Sequence, residues 1–159
     1  DIRISDQLDL VYFEAGGGGN RFESYPLPWY FGLHNTSLDC WKRNKKGIII
    51  TMGDEPLNPY MPHLELNVCL GCHEQADINT KELYQAAREK FDIYHLSIDE
   101  RTSSYNYHKN DADKIWRQIL GENYRVTNLN NLSQTISDII INAKTDMNTV
   151  VSSADGISW

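Results

Sequence analysis

The chain has 159 residues, of which 40% are hydrophobic, 23% charged and 11% aromatic; this is the composition of one globular domain with its own core, and it excludes a disordered tract. A net charge of -7 argues against a nucleic-acid footprint, which needs a basic stripe, and the basic cluster of Lys42, Arg43, Lys45 and Lys46 reads as a solvated helix end and turn. No apolar run approaches the ~18 residues of a membrane span and nothing at the start resembles an export signal, so the expectation is a cytoplasmic protein that binds neither nucleic acid nor membrane.

Along the chain, the run LDLVYF (Leu8 to Phe13) predicts a first strand, which leads into the glycines Gly16 to Gly19 and Asn20. A helical pattern follows, with Tyr25, Trp29, Leu33 and Trp41 as inward positions. Pro26 and Pro28 fit only a first turn, so its regular part is expected to start near Pro28. The stretch KGIIITM (Lys46 to Met52) predicts a strand, and its three successive isoleucines suit a central parallel strand buried on both faces. It ends in GDEP, with Gly53, Asp54 and Glu55. The next twenty-odd residues are irregular and marked by prolines, with a short helix or strand expected over Leu64 to Leu70.

Asn79 followed by Glu82 three residues on is a capping-box pattern, and Leu83, Ala86, Ala87 and Lys90 then follow helical spacing. The run DIYHLSI (Asp92 to Ile98) predicts the next strand, with His95 as a packed histidine inside it. The polar tract from Asp99 to Asn110 reads as a loop. Ile115, Trp116, Ile119 and Leu120 then share one helical face, with Gly121 as the stop. A short strand opens at Tyr124, and a last helix turns Leu132, Ile136, Ile140 and Ala143 inward. The tail from Lys144 to Trp159 is weakly patterned. Strands alternating with helices predict an α/β, Rossmann-like, doubly wound and mostly parallel sheet flanked by helices over residues 1–143.

In open parallel sheets, ligands gather at the carboxyl ends of the strands. Two such ends carry unusual polar content here: the glycines before Asn20, and Asp54 after the isoleucine strand. An amide and a carboxylate offer oxygen ligands suited to a hard divalent cation, Mg²⁺ or else Mn²⁺ or Ca²⁺. Glycines let the backbone come close to such an ion. The alternative is that the glycines form a flexible turn and that Asn20 and Asp54 cap turns.

GGGGNRFESY, TSLDCWKRNKKGIIITMGDEP, ADINTKELYQAAREKFDIYHLSI and IWRQILGENYRVTNL, in that order, resemble von Willebrand factor type A domains of the bacterial or phage intracellular kind. The resemblance covers residues 8 to about 143. It implies a metal-ion-dependent adhesion site whose second segment is the glycine loop, with Asn20 in the ligand place, and whose third segment contributes Asp54. Glu23 would serve a helix N-terminus. The family's first segment, Asp-x-Ser-x-Ser, occurs nowhere in the sequence, and the chain begins at Asp1. The expectation is therefore the C-terminal portion of such a domain, incomplete at its N-terminus. The implied role is a non-enzymatic interaction module whose partner protein presents an acidic side chain to the metal, with Glu55 and His63 at the rim.

A competing motif is CLGCH, in which Cys69, Cys72 and His73 match the C-x-x-C-H signature of covalent haem attachment. The same residues, with His63, have ligand types and spacing that suit zinc. As the other functional class, this motif would make the chain a haem or metal protein. Half-buried thiols in a reducing compartment are the plain alternative. Ser24 and Ser37 lack the His and Asp arrangement of a hydrolase triad, and no Gly-Lys-Ser/Thr follows the glycines to make a phosphate loop.

Overall fold

A computed structural model describes residues 23–99 and 106–152 together with the isolated positions 6 and 9; for 106–110 and 144–152 it describes the backbone alone. Of the strand predicted over Leu8 to Phe13 only Asp9 is described, as an exposed turn position; the rest of that run and the glycines with Asn20 lie outside the described residues.

Helix α1 spans Leu27–Asn35, with Pro26 as its N-cap and Pro28 in its first turn, where a missing N–H costs nothing. It ends before Trp41, which sits instead on a 3-10 turn over Asp39–Arg43. Strand β1 follows over Gly47–Gly53. A short antiparallel pair, β2 (Tyr60–Met61) and β3 (Ile78–Asn79), brackets helix α2 (His63–Leu70). Helix α3 spans Thr80–Ala87, β4 Phe91–Ile98, α4 Asn106–Leu120, β5 Tyr124–Thr127 and α5 Leu132–Ser152.

The main sheet has the order β1-β4-β5, and both pairings are parallel. Side chains alternate across its two faces. Odd-numbered residues of β4 face α1 and α4: a Cβ on Gly32 of α1 would touch Phe91 and Ile49, and Trp116 of α4 stacks on His95. Ile98 of β4 stands beside Thr127, and the Thr127 hydroxyl meets that of Thr135 in α5 at 3.0 Å. Helices thus cover both faces, which is the expected α/β arrangement with a parallel sheet.

Five details differ from the expectations. β4, not the isoleucine strand, is the middle strand among those described, and Ile48, Ile49 and Ile50 are only half-buried. On α3 the inward stripe is Thr80, Leu83, Tyr84 and Ala87, while Ala86 and Lys90 are exposed. On α5 the buried isoleucine is Ile139, whereas Ile140 and Ile141 face outward. α5 also continues through Ser152, and α4 begins at Asn106, inside the tract expected to be a loop.

The Asn79 cap appears as predicted: its Oδ1 accepts from the Lys81 and Glu82 amides at 2.9 and 3.3 Å. Asn79→Ala is expected to lower the unfolding free energy by about 1 kcal/mol, measured as a shift of the urea midpoint at unchanged slope. Gly121 takes φ 58 at the end of α4, the left-handed conformation that glycine reaches without strain.

Candidate functional site

The carboxyl ends of the three parallel strands place polar groups side by side. β1 delivers Gly53, which stands beside Ser97 of β4, and the chain then bends through the exposed Asp54. β4 ends one residue before Asp99, whose amide donates to the Thr127 carbonyl of β5 at 2.7 Å. Asp54, Asp99 and Asn128 therefore follow three adjacent strand tips, on the edge where parallel sheets bind ligands.

The loop carrying Asp54 is fastened from two sides. Glu23 forms a parallel bridge with Leu57, so the segment leaving the glycine loop runs beside the segment leaving Asp54. Two residues on, the Tyr25 hydroxyl accepts the Glu55 amide at 3.4 Å. From the other side, the Trp116 Nε1–H donates to the Glu55 carbonyl at 3.1 Å. Gly53 is required here because a Cβ would overlap the Tyr25 hydroxyl. Burial pushes the Tyr25 hydroxyl up to about 12; the Glu55 amide opposes this, and the carboxylates of Asp54 and Glu23 add to it. Both negative charges therefore lie within electrostatic reach of that hydroxyl.

Beneath the loop is an aromatic box. His95, 0% exposed, stacks on Trp116 at 3.7 Å between ring centres, with Tyr25 edge-on at 4.8 Å. Thr51, His95 and Tyr124 form one row across the three strands. The Thr51 hydroxyl donates to the Tyr94 carbonyl at 3.3 Å and meets His95 Nδ1 at 2.9 Å. Which of that pair donates follows the tautomer of the neutral ring, whose second nitrogen is Nε2. That atom has no hydrogen-bond partner among the described residues, and neither does the buried Nε1 of Trp29. Burial alone holds the imidazole down at about 3, so it stays uncharged. At the far end of the row, Tyr124 donates to Asp113.

Of the predicted ligand pair, Asp54 stands on this edge, and Asn20 lies outside the described residues. His63, expected on the rim, is engaged elsewhere: its amide and Nδ1 reach Asp77 Oδ1 at 3.0 and 2.7 Å, and that ring nitrogen lowers the Asp77 carboxyl. The C-x-x-C-H stretch straddles the end of α2: Cys69 lies in its last turn, Gly71 caps it at φ 64, and Asn67 organises the turn that follows. The Asn67 side chain brackets the backbone of Glu74, at 2.8 Å to its amide and 2.9 Å to its carbonyl, and its Oδ1 also accepts the Cys72 thiol at 3.2 Å. The Tyr30 hydroxyl donates to Glu74 at 2.6 Å, which ties the turn to α1. Among the described residues no group of three or more His, Cys, Asp and Glu side chains is gathered to hold a metal.

Sequence reasoning treated Tyr25 and Trp116 only as inward helical positions. The usable signal was that Trp carries a donor needing an acceptor when buried. No protein-family model, no curated protein and no solved structure matches the chain.

Proposed function

We propose that the chain is a protein-interaction module of the von Willebrand factor A type, acting through a divalent cation at the carboxyl edge of its sheet. The observation that supports this reading most is the Glu23–Leu57 bridge. It ties together two segments, one leaving the glycine loop three residues after Asn20 and the other leaving the strand tip three residues after Asp54. The donor chemistry fits a hard ion, since Asp54 offers exposed carboxylate oxygens in an electronegative loop and Asn20 would add an amide oxygen. The cation, Mg²⁺ or else Mn²⁺ or Ca²⁺, would supply an open coordination position that a partner's Asp or Glu completes.

The chain's own residues prepare the edge. Tyr25 and Trp116 fix the backbone of Glu55 and with it the bend at Asp54, so the carboxylate is presented at little entropic cost on binding. No group in this arrangement needs to transfer a proton or attack a bond, and the module performs no covalent chemistry.

Calorimetric titration with Mn²⁺ tests the reading. Asp54→Ala and Asn20→Ala are each expected to weaken binding at least tenfold, about 1.4 kcal/mol, with thermal stability in EDTA unchanged. Retention of Mn²⁺ affinity in both variants would overturn it.

A further inference from the structure

The opposite end of the sheet carries the reverse charge. The 3-10 turn over Asp39–Arg43 closes on Asn44 in the left-handed region, with the Asn44 and Lys45 amides returning to Trp41 and Cys40 at 3.0 Å each. This packs Lys42, Arg43, Lys45 and Lys46 into one compact turn below β1. The turn between α3 and β4 brings Arg88 and Lys90 against it. Lys46 Nζ donates to the Arg88 carbonyl at 2.6 Å, Trp41 Nε1 to the Lys90 carbonyl at 3.2 Å, and the Lys90 ammonium lies 5.0 Å over the Trp41 ring.

Between the two turns lies an open cleft of about 420 Å³ lined by Trp41, Asn44, Lys45, Lys46, Glu89 and Lys90. Six of the chain's fifteen Lys and Arg gather at this pole with Asp39, Glu89 and Asp92, three of its twenty-two carboxylates; nine cations and nineteen carboxylates remain for the rest of the sequence. Asp39 is occupied by Lys42 at 2.9 Å. Arg43 and Lys45 are exposed, with neither ion pair nor side-chain hydrogen bond among the described residues.

We propose that this basic pole is a docking surface for a short acidic segment of a partner protein. Lys45, Lys46 and Lys90 line the cleft beside a half-buried indole held in place by its own hydrogen bond, so the cleft offers a fixed apolar floor with three cations to the one carboxylate of Glu89. Asp and Glu side chains with their methylene stems match both features. Screening confines the patch's field to about 8–10 Å at physiological salt. A polyanion running beyond the patch would meet a chain whose remaining charge is strongly negative, whereas a short acidic segment ends within the patch. The surface lies at the amino ends of β1 and β4, away from Asp54, and does not depend on the cation proposal.

Fluorescence anisotropy with labelled octaglutamate in EDTA at low salt is the test, with a labelled oligodeoxythymidine of equal charge as comparison. Octaglutamate is expected to bind, to weaken as salt rises, and to bind more tightly than the oligonucleotide. The double variant Arg43→Glu/Lys45→Glu should lose at least tenfold in affinity while melting within a degree or two of the parent, because neither side chain supports the fold. Asp54→Ala should bind octaglutamate unchanged. Failure of octaglutamate to bind, indifference to the charge reversal, or tighter binding of the oligonucleotide would overturn the proposal.

Discussion

Trp116→Ala is expected to lower the unfolding free energy by about 3–5 kcal/mol, the range for removing a large buried aromatic side chain. The indole is 1% exposed and touches three rings: His95 in a parallel stack, Tyr25 at 5.4 Å and Trp29 at 6.2 Å. Each ring comes from a different element or loop, so the cavity left by alanine cannot close by moving one of them. Trp116→Phe isolates the polar part of the role. It keeps most of the ring packing but removes the Nε1–H that satisfies the Glu55 carbonyl, and about 1 kcal/mol is expected for that bond. Equilibrium urea unfolding measures both, and an unchanged slope certifies that stability and not compactness has moved. A loss below about 1.5 kcal/mol for the alanine variant would show that the indole is not the joint between the sheet and the Asp54 loop.

The parts of the fold that local chemistry decides were open to sequence reasoning. Asn79 announces the start of α3 and Gly121 the end of α4, because a cap and a left-handed residue need specific side chains. The two prolines fix where α1 begins. Strand centrality was harder to see. Ile48–Ile50 look like a middle strand and Asp92, His95 and Ser97 do not, yet β4 is the one flanked on both sides. Its buried His95 is tolerated because the cross-strand neighbour Thr51 hydrogen-bonds the ring. The face of α5 was ambiguous for another reason: Ile139, Ile140 and Ile141 are consecutive, so a helical period cannot tell which one turns inward. That Asp54 follows a strand tip was legible because a strand tip is a local feature. The clamp around it was not, since Tyr25 and Trp116 lie 30 and 61 residues from the Glu55 groups they hold.

Acid destabilisation should trace largely to His95, and its sign follows from the site. Burial holds the folded-state value at about 3, against an unfolded value near 6.5. Above pH 6.5 the ring is neutral in both states and contributes no pH dependence. As pH falls through 6.5, the unfolded chain takes up a proton that the folded chain refuses, so stability drops by roughly 1.4 kcal/mol per pH unit until the folded ring also protonates near 3. From pH 8 to pH 5 the expected loss from this residue is about 2 kcal/mol. His95→Phe removes it: the phenyl ring keeps the stack on Trp116, and the Thr51 hydroxyl keeps the Tyr94 carbonyl as acceptor. The other four histidines are common to both proteins, so their contributions cancel in the difference. Urea unfolding of the two proteins at pH 8, 6 and 5 should give free energies whose difference, parent minus variant, falls by about 2 kcal/mol from pH 8 to pH 5, and curves that stay parallel would mean that the buried imidazole can charge without opening the box. Such a fall would also mark the buried imidazole as the weak point of the aromatic layer beneath Asp54, because a ring protonated at both nitrogens finds no acceptor for its Nε2–H among the described residues and must bring water in with it.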